Sequence, residues 1–136
     1  MKLWQKDKAS LVEVEKFTVG KDNELDIHLA PFDVLGSLAH TKMLESVGLL
    51  TKEELSLLEA ELKNIYQQIQ KGGFKLNEGV EDIHSQVELM LTEKLGDVGK
   101  KIHSARSRND QVLVDLKLFL RSEIEKLVGN TKDFFD

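Results

Sequence analysis

The sequence predicts an all-α protein. Apolar residues recur at steps of three and four through successive segments, one proline interrupts 136 residues, and runs of β-branched residues are scarce. The stretch before Pro31 is the least regular, and Trp4, Leu11, Val14 and Phe17 suit an arm or short helix docked on a neighbour. Pro31 fits the first turn of a helix, where its missing N–H has no partner to lose. From it Val34, Leu35, Leu38, Met43, Leu44 and Val47 keep helical spacing, and Gly48 offers a C-terminal stop. Thr51-Lys52-Glu53-Glu54 reads as a capping box. The helix it opens carries Leu55, Leu58, Leu62, Ile65 and Ile69, a narrow stripe suited to another helix, and Gly72-Gly73 ends it. After a loop, a shorter helix turns Ile83, Val87, Met90, Leu91 and Leu95 inward before Gly96 and Gly99 break the chain. From about Asp110 a last helix holds Leu113, Leu116, Leu120, Ile124, Leu127 and Phe134 at helical spacing, widened by Leu118 and Phe119. So wide an apolar face needs large partner surfaces. The expectation is the leading portion of a larger helical protein, which in isolation self-associates.

Composition narrows the function. Hydrophobic residues make up 40% and charged residues 32%, enough for one modest domain with a wetted surface. The net charge of −5 leaves no basic excess to neutralise phosphates, so nucleic acid is not an expected partner. The absence of cysteine removes disulfide, thiolate and cysteine-based metal chemistry. Neither a signal-like apolar run nor a stretch of bilayer length occurs, so no membrane partner is expected and the cytoplasm is the expected compartment.

The chemistry concentrates in His103-Ser104-Ala105-Arg106-Ser107-Arg108-Asn109-Asp110. Two guanidinium groups flank a hydroxyl, a carboxamide and a carboxylate follow, and the long helix begins at once. Free N–H groups and the dipole at a helix start favour anions. Arg holds carboxylates through paired charge-assisted bonds, and Asn both donates and accepts. The ligand that fits is a polycarboxylate, with amide or guanidino groups admissible. The competing reading makes Ser107, Asn109 and Asp110 helix caps and the arginines solvated surface. Arg106 stays open between ligand binding and an internal carboxylate pair. His84 stands two residues after Asp82, a candidate cap. No second His or carboxylate stands nearby at a metal-site spacing, so neither metal nor cofactor is expected. His28 and His40 have no evident partner, and His103 reads as loop packing.

The run from Gly99 to Asp115 resembles the first signature region of argininosuccinate lyases and the related δ-crystallins, Lys-hydrophobic-His-Thr/Ser-Gly-Arg-Ser-Arg-Asn-Asp-Gln. Val80-Glu81-Asp82-Ile83-His84-Ser85 is similar to that family's acidic-Asp-Ile-His segment. Asp33-Val34-Leu35-Gly36-Ser37 and Val47-Gly48-Leu49-Leu50-Thr51 resemble its early helix and the turn after it. The resemblance implies a small helical N-terminal domain over residues 1–107, leading into the first long helix of a central helical bundle over 108–136. It implies cleavage of argininosuccinate to arginine and fumarate by β-elimination, in arginine biosynthesis, by a homotetramer. Asn109, Arg108, Ser107, Arg106 and His84 are then the substrate-binding residues. The catalytic serine loop and Thr-His pair would lie beyond Asp136, so the chain alone is expected to be inactive. The alternatives are another fumarate-releasing lyase of the superfamily and a non-catalytic, δ-crystallin-like protein.

Three departures accompany the resemblance. Gln5-Lys6-Asp7-Lys8 replaces the usual Gly-Gly-Arg-Phe, Asp22 stands where a substrate-binding Ser is usual, and Ala105 replaces the signature Gly. If that Gly adopts positive φ, Ala is strained there.

Overall fold

The computed structural model describes residue 17 and residues 22–77 and 79–135. Trp4, Leu11, Val14 and the Gln5–Lys8 departure lie outside them, and Phe17 is exposed. The order is α1 (Asp22–Asp26), α2 (Ala30–Ser46), α3 (Lys52–Gln70), α4 (Ile83–Leu95), the single turn α5 (Asp97–Lys100), a 3-10 turn (Lys101–His103) and α6 (Arg108–Phe135). No strand occurs among the described residues, so the all-α class holds.

Local chemistry sets most boundaries. The Thr51 hydroxyl accepts from the Glu54 N–H at 3.1 Å while the Glu54 carboxylate accepts from the Thr51 N–H at 3.0 Å, completing the capping box of α3. Gly48, at φ 80°, turns the chain out of α2, and the Leu49 N–H returns to the Leu44 carbonyl at 2.8 Å. Asp82 caps α4, its carboxylate accepting from the Ser85 N–H at 2.7 Å. Gly99 is required for another reason: a Cβ there would sit 2.4 Å from the backbone of Leu91, so α5 folds back against α4 only without a side chain.

Leu58, Leu62 and Ile65 of α3 meet Ala30, Val34 and Leu44 of α2 and Ile83, Val87 and Leu91 of α4, with Leu50, Phe74 and Ile102 closing the core. The 3-10 turn is pinned to the start of α3 by Lys101, whose ammonium donates to Glu54 at 2.5 Å. In the long α3–α4 loop the Asn77 N–H reaches the buried Gln86 side chain at 2.7 Å. No described helix is long and apolar enough to cross a membrane.

One expectation needs correction. In α2 the residues facing inward are Ala30, Asp33, Val34, Ser37, Thr41 and Leu44, while Leu35, Met43 and Val47 are exposed. The apolar spacing of α2 thus does not mark its buried face, because polar side chains with partners of their own occupy the middle of it. The last helix opens at Arg108, close to the expected start near Asp110, and runs to Phe135.

A buried charge cluster behind a helix start

The α6 N-terminus is closed by a reciprocal pair. Asp110 accepts from the Ser107 N–H at 2.8 Å and from its hydroxyl at 3.0 Å, while the Ser107 oxygen accepts from the Asp110 N–H at 3.3 Å. These contacts, the backbone N–H first, hold the Asp110 carboxyl below its ordinary value. Capping therefore falls to Ser107 and Asp110. Asn109, one residue inside the helix, is exposed and its amide is engaged by no described residue. Arg108 is half-buried and bound on three sides: Nη1 donates to Gln111 at 3.1 Å, Nη2 donates to Ser85 Oγ at 3.1 Å, and Nε stands 3.4 Å from Asp82. A guanidinium has donors left over after these contacts. The same Asp82 that caps α4 thus also orients the first residue of α6.

The turn before α6 owes its shape to Ala105, which stands at φ 56°. The left-handed conformation costs an L-residue about 1–2 kcal/mol, so the departure from Gly is a strained one. Past that turn, Arg106 folds inward and donates through Nη2 to Ser37 Oγ at 3.2 Å. Burial lowers its pKa, opposed by the charges of Asp33 and Asp115. Its described hydrogen bond goes to Ser37, and Asp33 and Asp115 act on it through their charge.

His84 is 4% exposed. Its Nδ1 donates to Asp33 Oδ1 at 2.9 Å and stands 3.6 Å from Asp115 Oδ2. Burial opposes its charge, but the hydrogen bond and charge of Asp33, then the charges of Asp82 and Asp115, outweigh it and raise the pKa. Asp115 is pushed up to about 7 by burial and by the charge of Asp33, against the pull of His84 and Arg106. Gln111 donates to Asp33 at 3.4 Å. Each of these groups sits on a different helix from most of its partners: Asp33 on α2, His84 on α4, and Gln111 and Asp115 on α6.

Asn109, Ser107 and Arg108 therefore stand together at the accessible helix start, while Arg106 and His84 stand behind them in the interior. Asp33, Gln111 and Asp115 had no place among the candidates. All three lie within the family-like segments, yet nothing local in the sequence marks them as buried. The sequence shows no metal-site spacing around His84, but in space Asp33, His84 and Asp115 each offer a ligand atom within 4.8 Å of the others. An arginine beside them supplies positive charge to the same carboxylates, so the set reads as an ion-pair cluster. His40 also has a partner, since its Nε2 lies 2.9 Å from the Ser104 carbonyl, and burial lowers its pKa. His103 faces Glu88 at 3.9 Å, in keeping with loop packing.

A family model described as lyase matches residues 6–136. Argininosuccinate lyases of Parabacteroides distasonis and Phocaeicola vulgatus are 64% and 61% identical over 99% and 98% of this chain, which covers 30% of each. That of Thermotoga neapolitana is 44% identical over 93% of this chain and 32% of its own length. The chain spans about 30% of the length of these curated relatives, and the resemblance read from the motifs extends over nearly all of it.

Proposed function

The chain belongs to the lyase family, and from that premise we propose that it supplies part of the substrate-binding wall of an argininosuccinate lyase. In this reading the whole enzyme cleaves argininosuccinate to arginine and fumarate, in arginine biosynthesis. A base removes the proton from the carbon next to a carboxylate, the electron pair is held on that carboxylate, and the C–N bond then breaks. The carbanion is accessible only where fixed donors and positive charge surround the carboxylate. Asn109 and Arg108 provide such donors at the α6 start, Ser107, whose N–H and hydroxyl donate to Asp110, shapes the turn that presents them, and Arg106 and His84 brace them from behind. The base belongs to another part of the enzyme.

The observation that carries the reading is Asn109. Ser107 and Asp110 complete the cap without it, so its exposed amide, beside Arg108, stays available to a ligand. The residues up to Ser107 form the small helical domain, and α6 opens the central bundle. The bare stripe of α6, from Leu113 to Leu127, supports assembly as a homotetramer. With a net charge of −5, neither nucleic acid nor membrane is a partner in this reading, and the compartment is the cytoplasm.

The test is a graft. This chain replaces the matching segment of the Parabacteroides distasonis enzyme, and fumarate release from argininosuccinate is followed by absorbance. The expected result is an active enzyme in which Asn109→Ala lowers kcat/KM by about tenfold to a hundredfold, the loss of one hydrogen bond to a charged group. A graft that folds and assembles like its parent yet releases no fumarate would overturn the reading.

A further inference from the structure

Between α2 and α6, beside the Arg106–Asp110 turn, lies a half-open cavity of about 100 Å³. Asp33, Arg106, Gln111 and Asp115 line it, with His40 and Asp110. Three polar atoms of these residues are buried without a protein partner: Asp33 Oδ2, Asp115 Oδ2 and Arg106 Nε. Two are carboxyl oxygens and one is an N–H donor. Buried polar groups are almost always paired, and each one left unpaired is costly.

The occupant must match that set. A cation would suit the two carboxylates and the His84 ring, but it offers nothing to the Arg106 N–H and is repelled by the guanidinium. An anion suits Arg106 and is repelled by two carboxylates. Water, which both donates and accepts, suits the Arg106 N–H and the two carboxyl oxygens whether or not Asp115 holds its proton. We infer that this cavity is a structural water site, in which one or more bound waters bridge Asp33, Asp115 and Arg106 and lock α2, α6 and the signature turn together. The volume exceeds what one water requires. Because Arg106 directly precedes Ser107, these waters fix where the α6 N-terminus stands. The inference holds whether or not the chain serves an argininosuccinate lyase.

Two measurements on this chain test it. The first is a high-resolution crystal structure with metal analysis of the same sample. Solvent peaks about 2.7–3.2 Å from the orphaned atoms, with metal well below stoichiometric, are expected. A dry cavity overturns the inference, as does direct pairing of Arg106 Nε with either carboxylate. A stoichiometric metal at coordination distance of Asp33, His84 and Asp115 overturns it in favour of a cation site. The second counts long-lived waters by relaxation dispersion of the solvent nuclei, in wild type and in Gly36→Ala. A methyl at Gly36, which lines the cavity, would stand 3.2 Å from Val114 Cγ1 and 3.6 Å from Asp115 Oδ1. The variant should lose at least one long-lived water, and an unchanged count in a folded variant counts against the inference. If the variant does not fold, the absence of any long-lived water in wild type counts equally against it.

Discussion

In α3 the stripe of Leu58, Leu62 and Ile65 is wholly buried, whereas in α6 Leu113, Leu116, Leu120, Ile124 and Leu127 remain 40% to 64% exposed. Both helices carry apolar residues at steps of three and four, so pattern alone does not separate them. The difference lies in what else each helix offers. The exposed face of α3 is mostly polar, Leu57 excepted, and its stripe meets the core. The inward line of α6 runs through Gln111 and Asp115, whose polar atoms meet Asp33 and His84. Phe119 follows on that side, packed edge-on against Phe32 at 5.9 Å between ring centres. Helix α6 is held to this domain largely by charge and hydrogen bonds, and its apolar stripe points elsewhere.

Truncation gives the largest expected contrast. Leu62→Ala should destabilise the chain by about 2–5 kcal/mol, the usual cost of a fully buried leucine. Leu120→Ala should change intramolecular stability by less than about 0.5 kcal/mol, as for most exposed positions, and should instead weaken self-association. Chemical denaturation and sedimentation measure the two effects. Equal losses at both positions would erase the contrast between the helices.

The charged attachment of α6 is tested by pH. Asp115 titrates near 7 when folded and near 4 when unfolded. A raised carboxyl pKa means that the folded chain holds its proton more tightly. That contribution to stability is full below about pH 4 and is lost as pH rises through about 7. His84, raised above its ordinary 6.5, acts with the same sign: its contribution is present below 6.5 and is lost as pH rises through its folded value. The melting temperature should therefore fall between about pH 5 and pH 8. Asp115→Asn should flatten much of that slope, while Leu120→Ala should leave it intact. A pH-independent melting temperature in the wild type would mean that the cluster does not titrate as a buried unit.

How much of this was legible follows from the same contrast. The start and the buried stripe of helix α3 could be read, since its capping box spans four consecutive residues and Leu58, Leu62 and Ile65 keep helical spacing. The signature turn could be read as chemistry, and the strain anticipated for Ala105 is present at φ 56°. The inward face of α2 could not be read, because Asp33, Ser37 and Thr41 replace apolar residues there. What makes their burial tolerable is a set of partners far along the chain: His84 is 51 positions from Asp33, and Gln111 is 78. Spacing within one helix carries no trace of such pairs. Ser107 rather than Asn109 caps α6 for a subtler reason, since either residue type serves and only the reciprocal bond with Asp110 decides.

The turn between the two regions should respond to Ala105→Gly. Glycine adopts positive φ without the Cβ clash, so stability should rise by about 1 kcal/mol, the strain released less the added freedom of the unfolded chain. Equilibrium denaturation reads the change directly. A loss of stability would mean that the methyl makes contacts worth more than the strain.

The smallest effect on stability is expected at the residue of greatest functional interest. Ser107→Ala removes the hydroxyl that accepts from the Asp110 N–H and donates to its carboxylate, and a lost cap costs about 1 kcal/mol. Asn109→Ala removes an exposed amide that no described residue uses and replaces it with the best helix former. Its stability should stay within about 0.5 kcal/mol of wild type. The pair separates attachment from recognition along a single turn of α6. If the order reverses, so that Asn109→Ala melts well below Ser107→Ala, Asn109 is serving the fold, and the argument that its amide is free for a carboxylate fails. If the order holds, the loss of turnover expected for Asn109→Ala in the grafted enzyme cannot be assigned to unfolding, and the amide at the start of α6 is left as its cause.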